Sequence, residues 1–275
     1  MNGYIKHFFN KKTVKLPLLF IASLYVFAMT VFYFNQENFY FHPKTLATDY
    51  QYQFDAKFEE INIPVDRKNT LNTLLFKAKN SKGIILYLHG NAGDLHDWGM
   101  RSKLYTDNNY DILFVDYRGF GKNKNQLESE EILHNDMQQV YDLLKTKYQE
   151  SHIIVLGFSV GSGLAANIAA NNSPKLLVLE APYYSFESLV KKIAPFVPKF
   201  LISYKIPTHE YLKEVTCPIA IFHGKDDQLI TPEGNSIQLQ QLYPDNITLH
   251  LIDNCTHNGI YSSVTYFKRL QKLLK

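Results

Sequence analysis

The chain of 275 residues predicts an α/β domain with a mostly parallel central sheet flanked by helices, a short lid insertion and one N-terminal transmembrane helix. Three observations carry this reading. Six short aliphatic runs alternate with helical patterns, and runs apolar on both faces are what a parallel sheet covered by helices requires. The run at 153–156 passes through Gly157-Phe158-Ser159-Val160-Gly161 into an alanine-rich stretch, which sets a serine on a strand-to-helix turn. The stretch 16–34 contains no charged residue over roughly the length a helix needs to cross hydrocarbon.

Taken in chain order, residues 1–15 form a basic tail with Lys6, Lys11, Lys12 and Lys15, whereas only Lys44 follows the apolar segment closely. This asymmetry places the N-terminus in the cytoplasm, the lipid bilayer around 16–34, and the rest of the chain across the membrane. A cleaved signal peptide is disfavoured, because no small-x-small site ends the apolar run. A buried core helix is disfavoured by the flanking lysines and by Phe39, Tyr40 and Phe41, which suit a membrane interface. Residues 35–52 read as a connector, and 53–275 as the α/β domain.

Composition narrows the setting. The 29 basic and 26 acidic residues are interspersed and leave a net charge of only +3, so nothing points to nucleic acid as a partner. Cys217 opens one strand and Cys255 closes the next, so a parallel pair would hold them at opposite ends, roughly 20 Å apart, too far for a disulfide. A glycan on the sequon Asn254-Cys255-Thr256 would bury His257, which favours a bacterial inner membrane with the domain facing the periplasm over a glycosylating compartment.

Within the domain, strands are predicted at 83–88, 111–115, 153–156, 176–179, 219–222 and 247–252. Leu133, Met137, Val140 and Leu144 recur on one helical face, and Thr231 with Pro232 marks another helix start. The stretch 183–215 is too long for a simple connection and reads as a lid over the carboxyl ends of the strands, where open α/β sheets place ligands. Its apolar segment 193–202, flanked by Lys191, Lys192 and Lys199, reads either as a flap between the site and a membrane surface or as a segment packed down on the sheet.

Ser159 thus stands where a nucleophile stands on a strained turn, with a helix N-terminus aimed at the reacting oxygen. A serine needs a base, and the base an orienting acid. Of the histidines downstream, His209 lies in the lid, His223 precedes a glycine and His250 is inside a strand; His257, just past the last strand, suits the base. For the acid, the loop after the preceding strand offers Asp226 and Asp227, and Asp253 is a third candidate. Asp94, His96 and Asp97 lack metal-ligand spacing. Gly119 and Gly121 lack the third glycine of a dinucleotide turn, since Lys124 stands there.

The motifs "LYLHGNAGD" (86–94), "VDYRGFGKN" (115–123), "GFSVGSG" (157–163), "CPIAIFHGKDDQLITP" (217–232) and "CTHNG" (255–259) resemble, in this order, those of the α/β-hydrolase superfamily. Within it the chain is similar to the membrane-anchored serine hydrolases near the protein depalmitoylases, the monoacylglycerol lipases and the serine aminopeptidase group. The similarity covers 61–274. It implies the α/β-hydrolase fold, a triad of Ser159, Asp227 and His257, an oxyanion hole from the backbone N–H groups of Asn91 and Val160, and no cofactor or metal. His89 and His223 read as structural. Cys255 and Thr256 depart from the small residues usual before the catalytic histidine. The implied activity is cleavage of an acyl ester or thioester in a small acyl or lipid-like substrate. An aminopeptidase or amidase of the same fold and a non-catalytic anchored scaffold are the alternatives, because fold alone does not select a substrate.

Overall fold

The computed structural model describes residues 11–275; the first part of the basic tail, Lys6 included, lies outside the described residues. Eight strands form one sheet: β1 Phe58–Pro64, β2 Thr70–Phe76, β3 Ile84–Leu88, β4 Asp111–Val115, β5 Ile153–Phe158, β6 Leu176–Glu180, β7 Ile219–Gly224 and β8 Ile247–Ile252. Their spatial order is β1-β2-β4-β3-β5-β6-β7-β8. Only β2 runs against its neighbours, pairing antiparallel with β1 and β4. The principal helices are α1 Lys11–Phe34, α2 Glu130–Lys145, α3 Val160–Asn171, α4 Phe186–Ile193, α5 Thr208–Glu214 and α6 Val264–Leu273.

The six parallel strands are the aliphatic runs. β3, β4, β5, β6 and β7 are buried along their whole length, which is why they read as uninterrupted apolar stretches. The β1–β2 hairpin escapes that signal. β1 is an edge strand, "FEEINIP", with most residues in contact with water. β2 carries Asn72 and Thr73 inward, where Tyr52 donates to Asn72 and Thr73 donates to the Ile61 carbonyl. The helix after Thr231 also starts later than its sequence suggests. Residues 232–235 form a turn closed by Asn235 N–H on the Pro232 carbonyl, and the Asn235 side chain holds it by donating to the Thr231 carbonyl and accepting from Tyr184 N–H.

The stretch 35–52 is packed into the domain. His42–Pro43 pairs in parallel with Ala92–Gly93, and Thr45 bridges to Gly121. Most of 183–215 also packs down: Phe186, Val190, Val197, Ile202, Tyr204, Ile206 and Leu212 are buried, and α5 lies against α3. What remains outside is an apolar tip of Ile193, Phe196 and Phe200. Both cysteines are free, at opposite ends of the adjoining β7 and β8.

Candidate active site

Four loops meet at the carboxyl ends of β3, β5, β7 and β8. Parallel register brings them level, since Leu88 pairs with Gly157, Phe158 with Glu180, Glu180 with Phe222 and Gly224 with Ile252. Ser159 sits between β5 and α3 with φ +51° and ψ −118°. A non-glycine residue there is strained, and the strain is held by its surroundings. Ser159 N–H donates to the Glu180 carbonyl at 2.9 Å, while its own carbonyl accepts from Ser162 N–H at 2.9 Å and Ser162 Oγ at 2.6 Å. The turn passes so near β3 that a Cβ on Gly161 would lie 2.0 Å from the Leu88 carbonyl oxygen.

His257 Nε2 lies 3.1 Å from Ser159 Oγ, and its Nδ1 lies 2.7 Å from Asp227 Oδ2. A carboxylate can only accept, so Nδ1 carries the proton and Nε2 presents a lone pair to the serine hydroxyl. Asp227 is buried and crowded with donors. Its Oδ1 accepts from the N–H groups of Leu229 and Ile230 at 2.9 and 2.8 Å, and its Oδ2 also faces His223 Nε2 at 3.2 Å. Burial pushes this carboxyl up, but the hydrogen bonds from His223 and His257, the attraction of His257 and the Ile230 N–H outweigh it and hold it well below the usual carboxylate range. Asp226 and Asp253 are exposed, and Asp253 pairs with Lys225 at 2.5 Å. Of the three candidate acids, the fold brings Asp227 to the histidine.

On the other side, the loop after β3 is fixed from several directions. His89 is buried, with Nδ1 2.6 Å from the Gly90 carbonyl, and Tyr117 donates to the His89 carbonyl at 2.7 Å. Asn91 turns its side chain away to donate to the Tyr40 carbonyl at 3.0 Å, and its carbonyl accepts from His42 N–H at 2.7 Å. The strap 35–52 therefore clamps the loop whose N–H group was expected to bind an oxyanion. Val160 opens α3, so its N–H has no intrahelical partner. Asp94 is used locally: it caps a short helix by accepting from His96 and Asp97 N–H.

Sequence reasoning missed a buried network behind the histidine. Glu180, at the end of β6, accepts from Tyr261 and Tyr266. Tyr261 also bonds Tyr87, and Arg101 donates to Tyr87 at 3.2 Å while its guanidinium lies 3.5 Å from the Tyr261 ring centre. Burial raises the Glu180 carboxyl to about 7 against the opposing hydrogen bonds and Arg101. Phe158 packs against both His257 and Tyr261, so the network joins the elbow strand to the histidine loop. The available signal was an acid closing a fully apolar run, "LLVLE", with a tyrosine four residues after His257.

A family model described as serine aminopeptidase, S33, matches residues 79–213, a stretch that contains Ser159 and ends before Asp227 and His257. The α/β-hydrolase domain-containing protein aho-3 of Caenorhabditis elegans is 26% identical over 213 residues, covering 76% of this chain and 62% of that protein. The lysophosphatidylserine lipase ABHD12 of Macaca fascicularis is 28% identical over 173 residues, covering 55% and 43%. The chain thus spans less than two thirds of the length of these two relatives. Among solved structures, the Pyrococcus furiosus esterase Pf2001 superposes with a TM-score of 0.67 at 18% identity, over 85% of this chain and 96% of that one.

Proposed function

We propose that this chain, whose fold and family matches are those of the α/β-hydrolase superfamily, is a membrane-anchored serine hydrolase that cleaves an acyl ester or thioester. The observation that carries this reading is the run of contacts from Ser159 Oγ through His257 to Asp227, 3.1 and then 2.7 Å, on a turn with positive φ. Ser159 attacks the acyl carbonyl carbon while its proton passes to His257 Nε2. The ionised Asp227 holds the ring in register and stabilises the imidazolium. The N–H groups of Val160 and Asn91 take the tetrahedral oxyanion. The imidazolium protonates the leaving oxygen or sulfur, and a water activated by Nε2 then releases the acid and restores the serine.

The anchor reading rests on α1, which over Lys15–Phe34 is long and apolar enough to span a bilayer. With the basic tail 1–15 cytoplasmic and the span at 16–34, the domain at 53–275, with its insertion at 183–215, faces the extracytoplasmic side, in a bacterial envelope the periplasm. A lipid-like substrate fits this placement and the lipase name of one relative; an aminoacyl amide is the second reading, favoured by the description of the matching family model.

The test is turnover of matched esters, thioesters and aminoacyl amides of increasing acyl length by the full chain in detergent, after labelling with a fluorophosphonate probe. A lipid-acyl enzyme labels and prefers longer chains, each buried methylene contributing about 0.8 kcal/mol. Labelling with turnover of amides alone selects the peptidase reading, and neither labelling nor turnover selects the scaffold.

A further inference from the structure

The apolar tip of the insertion is tied to the membrane helix, and the tie sets its depth. Tyr25 Oη, in the middle of α1, donates to the Phe196 carbonyl at 2.9 Å. At the head of the strap, Gln36 is only 1% exposed. Its Nε2 donates to the Leu201 carbonyl at 2.9 Å, and its Oε1 accepts from Ser203 N–H at 2.9 Å. Tyr25 precedes the end of the span by nine residues, about 13 Å along a helix axis. Even a tyrosine reaching toward the interface leaves its hydroxyl several ångströms inside the hydrocarbon. Phe196 must lie at the same level.

Most carbonyls of the tip suit such surroundings. Irregular chain in lipid has to satisfy its polar groups internally. The carbonyls of Pro195 and Val197 both accept from Lys191 Nζ at 2.6 Å, and that of Phe196 from Tyr25. Those of Ala194, Pro198 and Lys199 accept from the N–H groups of Val197, Leu201 and Ile202, and that of Leu201 from Gln36. Pro195 and Pro198 have no N–H to satisfy. Outward, the same segment shows Phe196 and Phe200, 64% and 83% exposed. The segment thus pairs most of its carbonyls within the protein while turning its phenylalanines out. Between tip and α1 runs an apolar groove of about 300 Å³, walled by Val26, Met29, Tyr33, Pro198, Phe200 and Leu201.

We propose that the apolar tip of Ile193, Phe196 and Phe200 is immersed in the hydrocarbon of the bilayer that α1 spans, with Lys199 paired to Glu187 at 3.0 Å, as a second membrane contact locked to the first, with a lipid acyl chain filling the groove between them. The inference rests on the anchor reading and goes further, because it fixes the attitude of the domain. The insertion leaves the end of β6 beside Ser159, and the strap leaves the end of α1 for the Asn91 loop, so the candidate site is held facing the membrane with no swing about a linker.

The experiment uses the full chain in phosphatidylcholine vesicles, with and without bromine at mid-chain carbons. The parent has one tryptophan, Trp98, 8% exposed in the domain core; Phe200→Trp adds a probe at the tip and Phe27→Trp one in the span. Brominated lipid should extinguish most of the added emission of both variants, and aqueous acrylamide should leave it nearly unchanged. If Phe27→Trp is quenched by bromine and Phe200→Trp only by acrylamide, the tip is in water and the proposal is overturned while the anchor stands. If bromine reaches neither, the anchor reading falls and takes the proposal with it.

Discussion

Replacing Gly161 with alanine separates the two halves of the candidate oxyanion hole without touching a reacting atom. The new Cβ would stand 2.0 Å from the Leu88 carbonyl oxygen and 2.6 Å from that of His89. Both are backbone atoms, so no side-chain rotation relieves the contact. Non-bonded heavy atoms settle at about 3.5 Å, so the first turn of α3 and the end of β3 must part by about 1.5 Å. Val160 N–H rides on the first and Asn91 N–H on the loop leaving the second. A misplacement of about 1 Å can cost about 10²-fold in rate, and loss of one oxyanion donor costs about 10²–10³ in kcat. Gly161→Ala should therefore lower kcat for a p-nitrophenyl ester by roughly 100-fold or more, with KM little changed. Overpacking of about 1–3 kcal/mol lowers Tm by roughly 2–12 °C in a domain of this size, so the protein remains folded in the assay. Gly234→Ala, where an added methyl meets nothing within 4 Å, is the control. Parental turnover by Gly161→Ala, with a parental melt, would refute the reasoning.

The remaining expectations are briefer. Ser159→Ala should lose fluorophosphonate labelling and turnover with Tm shifted by no more than a few degrees; probe found on another serine would remove the elbow assignment. Asp227→Asn should cut kcat by about 10⁴-fold through loss of imidazole orientation, whereas Asp226→Asn, at an exposed position, should turn over as the parent; similar losses in both would contradict the geometry. Glu180, raised from 4.5 to about 7, takes up a proton on folding. Stability therefore falls as pH rises between these values, and the burden of the ionised form is complete above about pH 7. Melts of Glu180→Gln should gain on the parent from about pH 5 to about pH 8, by up to about 3 kcal/mol, and a pH-independent difference between the two would count against this account.

Much of this was legible in the sequence because local pattern and burial coincide there. Buried parallel strands must be apolar on both faces, so β3 to β7 announce themselves, and the span 16–34 does so by length and lack of charge. The serine turn is legible because its backbone demands small neighbours at Gly157 and Gly161. The β1–β2 hairpin was not legible, since an edge strand facing water and an inward Asn72 look like loop. The acid was narrowed by resemblance, but residue types alone left Asp226, Asp227 and Asp253 equivalent. Only the fold distinguishes them, through the turn of the loop after β7, which directs one carboxylate at His257 and leaves the others in water. Glu180 joining the histidine loop to the elbow, the strap on Asn91 and the binding of the insertion to Tyr25 and Gln36 belong wholly to tertiary structure. Each joins residues tens to well over a hundred positions apart, and the worth of a hydrogen bond there depends on the burial that the assembled chain creates around it.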